Sequence, residues 1–333
     1  MRKLILRSRV VLIILIILLQ DLVPVQLFCQ YSPEYYKYYS YEQVINPAVT
    51  GRDRYPFVNF SSKKYWLSSS NSPYEICLGG SFRLGYFDFY TPSMMLNKGK
   101  ILSKDRMGFG GFIIYEQNGP LGYFMAESDY AYHIPLNENS TTELSFGLSI
   151  QLTNYNINKG ILDPLDKDDV ELSNLEKIPF VIDGDFGMYF NTEQFFIGAS
   201  VNDLLRQDYQ IESAANRNKQ DFFVQSGYKF YLRRFELEPS LFFAQIDDEP
   251  GYYSGQIKVY YQQYNWVSLA WQSSKSLRLA VGMRVGRIYF VYAFEQSVSQ
   301  MAKYFSNSHE IMIGLNIGLF EPAGLRKTVR RRP

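Results

Sequence analysis

The stretch ELSFGLSIQL, Glu143 to Leu152, alternates without a break. Leu144, Phe146, Leu148, Ile150 and Leu152 fall on one face, and Glu143, Ser145, Gly147, Ser149 and Gln151 on the other. A period of two is the mark of a β-strand with one apolar and one polar side. It recurs far along the chain. In LRLAVGMRV the set Leu277, Leu279, Val281, Met283, Val285 alternates with Arg278, Ala280, Gly282 and Arg284, and in EIMIGLNIGLF the set Ile311, Ile313, Leu315, Ile317, Leu319 alternates with Glu310, Met312, Gly314, Asn316 and Gly318. Two environments write this pattern: the apolar face meets either a protein core, as in a soluble sandwich, or lipid.

Fourteen strand-like runs separated by turn chemistry follow from Pro56 onward, at 56–67, 74–86, 107–117, 121–134, 142–155, 182–191, 194–203, 220–231, 234–246, 252–261, 264–273, 276–285, 287–297 and 307–319. An even, chain-long meander suits a single-chain bacterial barrel, which closes with both termini in the periplasm. A sandwich or propeller would not require it, nor a last strand ending in an aromatic, Phe320. Charges confined to one face beside glycines suit a lumen better than the outer shell of a sandwich. With the first strand starting in the periplasm, the links 156–181, 204–219 and 298–306 lie outside, and the turns at 191–193, 233–234 and Gly286 are short and periplasmic. The link 87–106 breaks that asymmetry. It is either an insertion or a sign that the strand count is off by one.

The N-terminus bears on compartment. Arg2, Lys3, Arg7 and Arg9 flank the apolar run Val10–Leu19, which reads as a secretory signal peptide cleaved after Cys29. A retained anchor is the alternative, but the run is shorter than the ~20 residues of a spanning helix. The bulky Phe28 before Cys29 argues against a lipidation signal. Only Cys77 then remains, which excludes an intramolecular disulfide and a multi-cysteine zinc site. Loss of four basic residues and Asp21 moves the net charge from +1 to −2, which gives no reason to expect nucleic acid. The 28 Tyr and 25 Phe suit aromatic girdles at two lipid interfaces. No mature segment reaches ~18 consecutive apolar residues, so a membrane form of this chain is a barrel.

Several stretches carry a family resemblance. INPAVTG (Ile45–Gly51) after a Tyr-rich lead, KKYWL (Lys63–Leu67), GFGGFIIYEQNGPLGYFMAESDYAYHIPL (Gly108–Leu136), FFIGASVNDLL (Phe195–Leu205) and SHEIMIGLNIGLF (Ser308–Phe320) resemble, in order and spacing, the PorP/SprF family of type IX secretion outer-membrane proteins of the Bacteroidota. The likeness spans roughly 45–320. The resemblance implies a Gram-negative outer-membrane barrel that assists secretion, surface attachment or gliding motility, acting with periplasmic components of the type IX machinery and with a secreted surface adhesin or other client bearing a C-terminal domain. The link 87–106 and the tail EPAGLRKTVRRRP depart from the family pattern and inherit nothing from it.

The resulting expectation is an all-β protein, a transmembrane antiparallel up-and-down β-barrel of about 14 strands with an N-terminal non-barrel segment. Its parts are a signal peptide (1–29), a Tyr-rich segment that is a possible lumen plug (30–55), the barrel (56–320) and a basic periplasmic tail (321–333). No enzyme, metal site or cofactor is expected. His133 and Asp129 share a strand face, but four residues set them ~13 Å apart, too far for a base and its orienting carboxylate. Both His133 and His309 are read as sitting at polar strand ends. The acidic run 161–176 lacks the glycine turn of a calcium loop and reads as solvated. Lumen candidates are Glu127, Asp129, Arg278 and Arg284; partner-binding candidates are Asn46, Pro47 and Gly51, and Arg326, Lys327, Arg330, Arg331 and Arg332 of the tail. The rival function is a passive, porin-like solute channel. An occupied lumen is favoured over an open one, because Tyr35, Tyr36, Tyr38, Tyr39 and Tyr41 are costly to leave in water without a partner.

Overall fold

A computed structural model describes residues 39, 41–53, 55–65, 72–84, 106–137, 141–158, 180–205, 220–246, 251–261, 265–274, 276–298 and 307–317. The signal segment, the link 87–105, the acidic run 161–176, Phe320 and the basic tail lie outside them.

The strands in chain order are β1 (Phe57–Lys64), β2 (Tyr74–Arg83), β3 (Met107–Asn118), β4 (Leu121–Pro135), β5 (Glu143–Ile157), β6 (Val181–Asn191), β7 (Phe195–Asn202), β8 (Asp221–Tyr228), β9 (Phe230–Leu232), β10 (Phe235–Gln245), β11 (Tyr252–Tyr261), β12 (Asn265–Gln272), β13 (Ser276–Val285), β14 (Ile288–Ser297) and β15 (Ser308–Asn316). Each pairs antiparallel with its neighbours, and β15 returns to β1 from Phe57↔Asn316 to Lys64↔His309, closing the ring. The ring holds fourteen staves, because β8 and β9 are one strand interrupted. Gly227↔Ser240 and Phe230↔Leu237 continue a single register, which sets Pro239 opposite Tyr228. Proline has no N–H to give the ladder, so pairing lapses there and resumes three residues on. The count at the long link stands, since β2 pairs directly with β3 from Tyr74↔Gln117 to Arg83↔Gly108.

The barrel is inside out relative to a soluble protein. On β5 the polar set Glu143, Ser145, Ser149 and Gln151 is buried, while Leu148 and Ile150 are 57% and 67% exposed. The same holds on β13, with Arg278 buried and Leu279 and Val281 outward. Only lipid lets such a surface stand, because that much apolar area would not remain in water. Outward aromatics gather at both ends. Tyr228–Phe230 and Phe235–Tyr261 lie at the end where β1 begins and β15 finishes, here the near mouth; Tyr74–Tyr115 and Tyr253–Trp271 lie at the opposite, far mouth. These are the two girdles that anchor a barrel at the headgroups.

Inside, charges are paired across the wall. Arg83 donates from Nη1 and Nη2 to the two carboxylate oxygens of Glu143 at 3.2 and 3.0 Å, reaching from β2 to β5 at the near mouth. Lys63 binds Glu295 at 3.2 Å and Arg278 binds Glu310 at 2.7 Å toward the far mouth. Buried pairs of this kind cost several kcal/mol to break from one side, because the orphaned charge stays buried.

Candidate functional site: an arm seated in the lumen

Tyr41 to Asp53 do not join the sheet. They form an arm inside the barrel, with two one-turn 3-10 helices, Glu42–Val44 and Pro47–Val49. The second is written by the local sequence: Asn46 caps it, its Oδ1 accepting the N–H of Ala48 at 2.9 Å, and Pro47 follows at the first helical position, where its fixed φ is preorganised. Gly51, at φ +75°, then turns the chain toward β1 in a conformation that side chains with a Cβ resist.

The wall beneath this arm is built of glycine. Gly108 and Gly110 of β3, Gly147 of β5, Gly187 of β6 and Gly198 of β7 all face inward, and the arm rests on their backbone. A Cβ on Gly147 would stand 2.6 Å from Ala48 Cα, one on Gly110 2.7 Å from Thr50 Cγ2, one on Gly187 3.0 Å from Asn46 Cγ, and one on Gly108 3.0 Å from the Thr50 carbonyl carbon. Any side chain there would lift the arm off its seat.

Hydrogen bonds fix its register. Asn46 Nδ2 donates to the carbonyls of Met188 at 3.0 Å and Ala199 at 3.4 Å, so one amide ties β6, β7 and the arm together. Ser200 Oγ donates to the Ile45 carbonyl at 2.6 Å, and Gln43 Nε2 to the Gly111 carbonyl at 3.2 Å. Thr50 joins the two residues that the strand spacing had separated. Its Oγ1 donates to Asp129 at 3.3 Å, and its carbonyl accepts from His133 Nε2 at 2.9 Å. With Nε2 carrying the proton, His133 Nδ1 accepts from the Ser145 hydroxyl at 2.7 Å. His133 and Asp129 thus hold a backbone segment, and their bonds are those of a clamp.

Apolar contacts complete the seat. Ile45 packs with Phe223, Phe242 and Tyr252, with Tyr39 against the same cluster; Tyr41 and Val44 pack on Cys77, Phe112 and Ile114. The thiol-bearing Cys77 is fully buried beneath Tyr41. Toward the near mouth, Arg52 binds Glu42 and donates to the Tyr189 hydroxyl at 2.9 Å.

The sequence candidates therefore separate. Asn46, Pro47 and Gly51 are buried, and the surface they meet is the barrel's own wall. Glu127 and Asp129 face the lumen beside Asp185, which accepts from Ser149 Oγ. Arg278 also faces the lumen, paired with Glu310 and with its Cζ 5.5 Å from the Tyr39 ring centroid. Arg284 stands at the near mouth, its Nε donating to the Gly286 carbonyl at 2.9 Å. His133, third from the near end of β4 on its inward face, is buried in the lumen, because the arm covers it. His309 is on the outer face between Tyr292 and Phe294. Among the described residues, no group of three or more His, Cys, Asp or Glu is placed to hold a metal ion. The glycine seat and the Glu42–Arg52–Tyr189 contact were not read from sequence. The inward register of the five glycines was the available signal.

The family model for the type IX secretion system membrane protein PorP/SprF matches residues 27–315. The chain belongs to the PorP/SprF family. No curated protein matches it in sequence. Among solved structures, this PorP/SprF chain is similar to the CymD monoaromatic hydrocarbon channel (9% identity, TM-score 0.46, covering 84% of this chain and 93% of that one). It is similar also to a FadL homologue of Pseudomonas aeruginosa (8%, 0.45, 82% and 93%) and to the outer membrane protein Omp33 of Acinetobacter baumannii (6%, 0.43, 80% and 100%). Family and fold together make this an outer-membrane β-barrel of the type IX secretion system.

Proposed function

We propose that this barrel is a non-enzymatic docking or anchoring subunit, assisting export or surface attachment of a secreted protein. Its lumen is held by its own arm instead of serving as an open solute pathway. The arm seated on the glycine wall is the observation that carries this reading. A solute channel would need that space. The partners we expect are outer-membrane lipid around the girdles, periplasmic type IX components, and a secreted adhesin or other client with a C-terminal domain. The signal segment 1–29 directs export. The tail carries five basic residues, Arg326, Lys327, Arg330, Arg331 and Arg332, against the single acid Glu321, and suits an acidic face of a periplasmic component.

Two experiments test this. In planar bilayers the intact protein shows little steady conductance, and deletion of the arm, Gln30–Gly51, raises it; a large stable conductance of the intact protein would instead favour a porin-like channel. Truncation after Phe320 leaves the barrel heat-modifiable in SDS but reduces co-purification of the periplasmic partner in a salt-sensitive manner. A truncated barrel that retains every partner and supports secretion removes the tail from the reading.

A further inference from the structure

The arm has a direction. Tyr55 and Phe57 lie at the near mouth, their rings 6.5 Å apart, where β1 starts. Arg52 reaches Tyr189, the third residue from the near end of β6. Asn46 to Gly51 run over the glycine wall at mid-height. Ile45 is already higher, bound by Ser200 of β7, whose far end is Asn202. Tyr39 stands highest, beside Ser254, Gln272, Arg278 and Glu295. Ser254 is the third residue of β11, Gln272 the last of β12, Arg278 the third of β13 and Glu295 the third from the end of β14. All four mark the rim of the far mouth. The described residues of the arm thus reach from the far rim at Tyr39 to the near mouth at Tyr55, with the Glu42 side chain meeting Arg52 toward the near mouth.

We propose that the chain enters the barrel at the far mouth, so that the arm passes through the lumen from one side of the membrane to the other. The strand ends at Phe57 and Asn316 share the near mouth, which a closed barrel keeps in the periplasm. Tyr39 is therefore on the cell-surface side and Asp53 on the periplasmic side. Both positions are open to a reagent, Tyr39 in part and Asp53 more fully.

Sidedness is read with Tyr39→Cys and Asp53→Cys in cells treated with a membrane-impermeant maleimide, before and after the outer membrane is opened osmotically. Peptide mapping distinguishes the new thiol from Cys77, and heat-modifiable migration verifies each barrel. The expected result is that Tyr39→Cys reacts in intact cells at least tenfold faster than Asp53→Cys, which reacts only after opening. An epitope placed between Gln30 and Tyr31, ahead of the packed arm, gives an independent readout should Tyr39→Cys fail to assemble; antibody binding to intact cells is expected. Reaction of both cysteines from the same side, or an epitope reached only after opening, overturns the proposal.

Discussion

Substituting Gly147 by alanine sets two expectations of opposite sign against each other. In an ordinary strand, alanine in place of glycine stabilises by roughly 0.5–1 kcal/mol, since less backbone entropy is lost on folding. Here the added methyl would stand 2.6 Å from Ala48 Cα, with other backbone atoms of Pro47 and Ala48 closer still. Backbone cannot rotate away as a flexible side chain does, so the strain falls on the arm. Overpacking of this kind costs about 1–3 kcal/mol. Taking about 2 kcal/mol, and a tenfold change for each 1.4 kcal/mol, the displaced arm becomes about thirtyfold more populated. Cys77 is a native reporter, because it faces the lumen in the cluster that Tyr41 and Val44 of the arm complete. Thiol modification in detergent is thus expected to accelerate about thirtyfold in Gly147→Ala, with bilayer conductance rising in parallel and heat-modifiable migration preserved. Unchanged Cys77 reactivity together with unchanged conductance would refute the seat.

Asn46→Ala removes the amide that ties the arm to Met188 and Ala199 and leaves the Ala48 N–H without its cap. At about 1 kcal/mol for each hydrogen bond, the arm loosens by about 3 kcal/mol, seen as Cys77 modification faster than in Gly147→Ala. Glu42→Gln removes the charge that Arg52 pairs with inside the lumen, and bilayer conductance should rise modestly. Arg83→Ala takes the guanidinium away from the buried Glu143 carboxylate at the near mouth, costing about 3–5 kcal/mol, and lowers the temperature at which the SDS-resistant band converts.

The strands were readable because lipid imposes a strict rule. Outward positions are overwhelmingly apolar, so alternation survives in β5, β13 and β15, and the strand-like runs can be counted from it. Pro239 explains an irregularity: the run 220–231 alternates as one strand, but a missing N–H on the neighbouring strand splits it. The lumen was far less legible. An inward glycine in GFGG or ELSFGL declares that something lies close, yet not what. Asp129 and His133 are too far apart along the strand to act as a base and its orienting carboxylate, and spacing alone could not show that Thr50, some eighty positions upstream, is bound by both. Nor does spacing reveal the partner of Arg83 or Arg52, because inward side chains meet across the ring and not along the strand. Asn46, Pro47 and Gly51, partner-binding candidates within the family-like stretch 45–51, make their contacts within the chain itself.

A barrel closed around its own arm also constrains the order in which the molecule can be built. The glycine wall fits the backbone of Asn46–Gly51 so tightly that bulky groups such as Tyr41 and Arg52 could not slide past it in a finished ring. The seam between β1 and β15 joins Phe57 to Asn316, the pairing with the greatest sequence separation and hence the largest loop entropy to overcome. That seam is accordingly the last to form, and the sheet curls about a guest already in position. The arm then works during assembly as a mandrel, setting the curvature of β3 to β7 before the outer membrane ever receives a sealed cylinder.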